Sequence, residues 1–161
     1  MAGITVSGAS IGLAAAVPTG LTSESTNAEK VTAYELLTYT TPASCIITSL
    51  PVFDEFWELG EDDDTVCDNL DEIKTSFKTI QKVAPSSISA IFVKDDPIIV
   101  LFNQLRESRS DIGTLQITHS NGTDKIWAQI EVSKTTEDLT ETLNKVKFMA
   151  EFFFKKKPVR N

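Results

Sequence analysis

The chain carries one histidine, His119, and two cysteines, Cys45 and Cys67. Acyl transfer through a Ser or Cys nucleophile needs a histidine that a further polar group orients. Any such triad would have to be built on His119 alone. Structural and catalytic zinc sites need three or four nitrogen, sulfur or carboxylate ligands converging on the ion, and these three side chains exclude most such sites. The phosphate-binding Gly-x-x-x-x-Gly-Lys loop, Gly-x-Gly-x-x-Gly and Cys-x-x-Cys are all absent. The expectation is no catalytic residue, no metal, no cofactor and no enzyme, with His119 in a structural or solvent-facing role.

The carboxylates are more numerous. Ten fall between Asp54 and Glu72, and no Lys or Arg follows among them before Lys74. Calcium in an EF-hand loop takes six to eight oxygens and a glycine placed among the acids, whereas Gly60 precedes the densest run. The run therefore reads as a solvated, self-repelling loop. Glu61, Asp62, Asp63 and Asp64 become candidates for contact with another subunit.

At the other end, Lys155, Lys156, Lys157 and Arg160 give the tail a charge of +4, while the whole chain stands at −8, leaving −12 for the remainder. Such a tail is ordinarily solvated. Its alternative is pairing with the acidic 54–72 segment of a neighbouring copy, which sets register more than affinity. The acidic balance excludes a generic nucleic-acid binder, which needs clustered basic residues, but admits a protein that guides DNA without gripping it. Trp57 and Trp127 read as packing or interface anchors.

Positioning these groups falls to a chain of 161 residues with 41% hydrophobic residues. That length fits one domain, which can bury roughly 68–70% of its unfolded surface. Residues 1–20 are small and apolar but lack a basic leading region, so a signal peptide is not expected. No apolar run approaches the roughly 18–20 residues of a membrane helix. Cytosolic free thiols at Cys45 and Cys67 follow, with a Cys45–Cys67 disulfide as the alternative.

Residues 1–43, rich in Thr, Ser, Ala and Gly, read as an extended N-terminal arm with one or two short strands. A helix near 27–37 capped by Asn27 is a weaker option, since Lys30 is wrong for a capping box. Residues 44–161 then form a single β-rich domain. Strands are expected over 44–50, 53–59, 75–83 and 86–94, the last two joined by the Ala84-Pro85 turn. Asp95-Asp96-Pro97 followed by Ile98, Leu101, Phe102 and Leu105 predicts a helix over 95–109. Leu115, Ile117 and His119 alternate towards Asn121-Gly122, a strong hairpin signal, and Ile126, Ala128, Ile130 and Val132 alternate on the return. A polar loop over 133–142 leads to a last strand over 143–155. The expected core is Ile88, Phe92, Ile98, Leu101, Leu105, Leu115, Ile117, Ile126, Ile130, Val146, Phe148 and Phe152. The fold class is α+β, mainly antiparallel β as a small sandwich or barrel, with one flanking helix, the arm and long loops.

The runs KTIQKVAPSSISAIFVKDDPIIVLFNQL and GTLQITHSNGTDKIWAQIEV, with the terminal FFFKKKPVRN, resemble the tail tube proteins of long-tailed bacteriophages. The likeness covers about residues 70–161 and rests on element order: strand, helix starting at Asp or Pro, Asn-Gly hairpin, last strand with a Lys-Pro tail. Lys156 and Lys157 stand where that family has a glycine. The resemblance implies a virion structural protein, assembled in the host cytoplasm, whose copies form hexameric rings stacked into a tube. DNA would pass through without specific binding, other tail proteins would be partners, and no membrane would be involved. An acidic or neutral channel would let DNA slide. Gln116, Thr118, Gln129 and Glu131, opposite the apolar hairpin face, are the lumen-facing candidates. Trp57, Glu61–Asp64 and Lys155–Lys157 are the inter-subunit candidates. The rival is a monomeric or dimeric β-rich binding module with an aromatic ligand pocket.

Overall fold

The computed structural model describes residues 9–43, 45–62, 75–139 and 144–161. In chain order the elements are β1 (Ser10–Ala14), α1 (Asn27–Glu35), β2 (Cys45–Ser49), β3 (Glu55–Asp62), β4 (Thr75–Val83), β5 (Ser86–Val93), α2 (Pro97–Glu107), β6 (Gly113–Thr118), β7 (Lys125–Asp138), β8 (Lys145–Phe154) and β9 (Val159–Arg160). The class is α+β and mainly antiparallel. Seven strands form one sheet in the order β1-β6-β7-β8-β5-β2, with β9 beside β7, and β3 and β4 form a separate two-stranded ribbon. The end strands β1 and β2 do not pair with each other among the described residues, so the sheet is open and not a closed barrel.

Helix α2 starts where the sequence says it should. Asp96 caps it and is 2% exposed, its carboxylate accepting from the Ile98 amide at 3.1 Å. Pro97 fills the first turn, where no amide partner is needed. Ile98, Ile99, Phe102 and Leu105 are buried against one sheet face, which carries Ile88, Ala90, Phe92, Leu115, Ile117, Ala128, Ile130, Val132, Val146, Phe148, Ala150 and Phe152. Of the expected core, Leu101 and Ile126 are only half-buried. Burial of these side chains is the main stabilising term, at about 25 cal/mol per Å² of apolar surface.

Three expectations are corrected. The first is the N-terminal arm: β1 lies in the sheet, paired with β6 from Ser10↔Thr118 to Ala14↔Thr114, and Leu13 is fully buried. Ile11 and Leu13 are too short a run to register as a period. Among the described residues there are also two helices, not one. The cap of α1 is Thr26, one residue before the expected Asn27, which brings Glu29 to the third position. Thr26 Oγ1 accepts from the Glu29 amide at 3.2 Å, and Glu29 Oε2 accepts from the Thr26 amide at 2.9 Å, a complete capping box.

β4 and β5 form on either side of Ala84-Pro85 as expected, and they do not pair with each other. β4 pairs with β3, whereas β5 lies between β2 and β8. The third correction is the polar stretch after Val132. β7 continues to Asp138, and a register shift between Val132 and Lys134 breaks the alternation that sequence reading depends on.

Candidate functional site

The second sheet face is where the lumen candidates were expected. Helix α1 covers its β6–β7 half. Tyr34 from α1 stacks on Trp127 with ring centroids 6.1 Å apart and planes 20° from parallel. Trp127 is fully buried and donates from Nε1 to Gln116 Oε1 at 2.9 Å. Gln129, 5% exposed, donates to the Tyr34 hydroxyl at 3.0 Å. Glu131 is half-buried and pairs with Lys155 at 3.2 Å, and Thr118 is half-buried at the end of β6. Gln116 and Gln129 are therefore internal hydrogen-bonding groups of one subunit, not solvated channel lining. Buried amides need partners, and a tyrosine from a segment without visible periodicity supplies one.

Beyond α1, the same face is uncovered over β5, β8 and the end of β7. Backbone register places Ser87, Ser89 and Ile91 opposite Glu151, Met149 and Lys147. It places Lys134, Thr136 and Asp138 opposite the same three residues of β8. This patch carries two cations, Lys134 and Lys147, and two carboxylates, Asp138 and Glu151.

The β3–β4 ribbon is fastened at its base. Asp54 accepts at its carbonyl from the Ala84 amide at 2.9 Å, and Glu55 pairs with Arg160 at 3.5 Å. The Arg160 guanidinium lies 5.8 Å from the centre of the Phe53 ring. Further out, Phe56, Trp57, Leu59, Phe77 and Ile80 are all at least two-fifths exposed. Lys78 Nζ sits 5.6 Å from the Trp57 ring centre, and Lys82 pairs with Glu58. The ribbon ends at Asp62 on one strand and Thr75 on the other. Glu61 and Asp62 are at that end, while the candidates Asp63 and Asp64 lie outside the described residues, as does Cys67.

In the tail, Lys155 Nζ lies 5.6 Å from the Phe153 ring centre in addition to its contact with Glu131. Lys156 and Lys157 are exposed and face a cleft beside α1. His119 is exposed in the turn before Gly122 (φ 76°), and its carbonyl accepts from the Gly122 amide at 2.9 Å. Cys45 is a half-buried free thiol, its pKa raised by burial and then by the charge of Asp96. Among the described residues no cluster of His, Cys, Asp and Glu could hold a metal ion, and no helix is long and apolar enough to cross a membrane.

Sequence reasoning passed over Tyr34 and Lys30. The Thr26-x-x-Glu29 box was the available signal, because a helix starting there puts both residues on one face at i and i+4. No family model matches the chain, and no curated protein matches it.

Proposed function

We propose that this chain is a structural subunit that polymerises with copies of itself into a tube of the phage-tail type, as stacked hexameric rings with a channel for DNA. The observation that carries the reading is the β3–β4 ribbon. A two-stranded ribbon alone is at best marginally stable in water, and this one exposes Phe56, Trp57, Leu59, Phe77 and Ile80 with no second layer over them among the described residues. Exposed apolar surface on an extended ribbon is an association surface, and copies of the same chain are the partner a tube provides. The open sheet end at β2 adds a strand edge with no partner among the described residues, which a neighbour in a ring would cover, whereas the edge of β1 is partly closed by Thr40, which bonds both ways with Leu13.

The channel lining in this reading is the uncovered face of β5, β8 and the end of β7. Its equal numbers of cations and carboxylates leave nothing to hold a phosphate backbone, so DNA slides past. Other tail proteins cap the ends of the polymer, the site of action is the virion tail, and no catalytic step is involved.

The test is negative-stain imaging and sedimentation of the purified full chain. Rings or hollow tubes are expected. A monodisperse monomer over a wide concentration range would overturn the proposal. Trp57→Ala with Leu59→Ser should shift the distribution towards free subunits while leaving the melting of the body unchanged.

A further inference from the structure

A cleft of about 360 Å³ opens between α1 and the C-terminal tail. Its lining is Leu21, Thr22, Ser23, Lys30, Tyr34 and Gln129 together with Lys156, Lys157 and Val159. Three cations thus converge on one cleft in a chain of net charge −8. None of the three pairs with a carboxylate among the described residues, and no carboxylate lines the cleft. Tyr34, 2% exposed, lies in its wall. The Tyr34 hydroxyl accepts from Gln129, and among the described residues no hydrogen bond uses its own proton. Thr22 and Ser23 add hydroxyls at the rim, while Leu21 and Val159 give an apolar wall. This is a receptor built for an anion on a short extended peptide: ammonium groups for carboxylates, one buried donor, and a wall for aliphatic contact.

We propose that the cleft binds the acidic end of the β3–β4 ribbon of a second copy of this chain, around Glu61 to Asp64. The proposal rests on the self-assembly reading and names the contact that orders it. Charge complementarity selects the occupant, because the sequence 61–64 is four consecutive carboxylates.

Geometry makes the contact intermolecular. The cleft lies at the base of the ribbon, since Val159 lines it and the next residue, Arg160, pairs with Glu55. From Glu55 to Asp62 is seven residue steps, about 23 Å at 3.3 Å per step. The ribbon therefore carries its acidic end away from its own cleft. A tip that fits a different patch on the next copy can propagate head to tail as a ring or a stack, or be exchanged reciprocally in a two-fold dimer, and sedimentation separates the two.

The experiment is a charge swap in the full chain, read by sedimentation and negative-stain imaging. K156E with K157E should raise the concentration needed for assembly about tenfold or more, because each reversal both removes an attraction and places like charges against each other. D62K with D63K should do the same. The chain carrying all four changes should assemble again, because the swapped charges still meet. In parallel, a synthetic peptide of residues 59–72 is titrated onto monomeric wild type and onto K156E/K157E, with inorganic pyrophosphate as a second probe. Peptide binding that K156E/K157E removes supports the cleft even if polymers never form, in which case only the tube reading fails. Wild-type polymers unaffected by either reversal would overturn the cleft and leave the tube reading standing. Failure of the four-fold variant to recover, or binding of pyrophosphate without the peptide, would also overturn it.

Discussion

The side-chain amide of Gln129 donates to the hydroxyl of Tyr34 at 3.0 Å, and both groups are buried. This bond ties α1 to the middle of the sheet. Tyr34→Phe leaves a Gln129 amide hydrogen without its partner, so the expected loss is about 1–3 kcal/mol. At this chain length each kcal/mol lowers the melting temperature by about 2–4 °C. Gln129→Leu should cost a similar amount alone. Tyr34→Phe with Gln129→Leu should cost less than the two together, because neither polar group is then stranded. A double-mutant cycle by thermal unfolding checks this; strictly additive losses would show that the bond carries no coupling.

Alkaline pH should weaken the same region. Burial raises the phenol pKa of Tyr34 above the ordinary 10.0, and the Gln129 hydrogen bond offsets only part of that. Burial also raises Tyr39, with further contributions from Tyr34 and Glu35. Tyr39 donates its proton to the Tyr34 carbonyl at 2.7 Å, a bond that ionisation destroys. A raised folded-state pKa means the unfolded phenols release protons first. The stabilisation is complete below about pH 10 and falls as pH climbs through the folded-state values. Melting curves from pH 8 to 11 should show a decline that Tyr39→Phe makes shallower.

Some elements were legible because several local signals agreed. Asp96, Pro97 and the Ile98–Phe102–Leu105 stripe specify α2 at its cap, first turn and buried face together. The Val146, Phe148, Ala150 and Phe152 alternation does the same for β8. Other features depend on contacts that no window of sequence contains. β3 and β4 are strands in themselves, but that they pair with each other and leave β5 to the main sheet is set by tertiary geometry. α1 buries one residue, Tyr34, so its apolar stripe was too thin to register. With α1 held only as a weaker option, Gln116 and Gln129 looked solvated. Trp57 and the tail lysines were named as contact residues from charge and residue type alone, and they lie on exposed surface in the fold.

Asp96 is the next test of the body. Its carboxylate accepts from the Ile98 amide and from the Ala43 amide, both at 3.1 Å, so it caps α2 and pins the chain entering β2. Asp96→Ala should cost about 1–3 kcal/mol, from a lost cap plus a stranded amide. Asp96→Asn keeps one acceptor oxygen and should cost less. Urea unfolding followed by circular dichroism measures both; equal losses would mean that the acceptor oxygen Asn retains contributes nothing.

Gly113 is held by space. A Cβ there would lie 2.6 Å from Leu105 Cδ1 and 3.0 Å from the Ala14 carbonyl oxygen. The leucine tip can rotate, but the carbonyl belongs to β1 and moves only with the strand. Gly113→Ala should therefore destabilise by about 1–3 kcal/mol through overpacking. Adding Leu105→Ala should relieve the side-chain clash but not the contact with β1. An unchanged melting temperature for Gly113→Ala would show that the end of β1 is free to shift.

The channel face can be tested with the fold left intact. Gln129→Lys is the wrong probe, because it buries a charge and breaks the bond to Tyr34. Ser89 and Thr136 are better placed. Both pair with Met149 across β5, β8 and β7, in one row of the uncovered face, and neither is buried. Ser89→Lys with Thr136→Lys adds two cations per subunit to a patch whose charges balance. If that face lines the tube, each ring of copies presents a belt of ammonium groups to passing DNA. Every phosphate contact releases counterions, so the attraction is strong at low salt and fades as salt rises. DNA ejection from particles carrying the double substitution should slow at low ionic strength and recover at high. Normal ejection at low salt from particles with intact tubes would place this face away from the DNA.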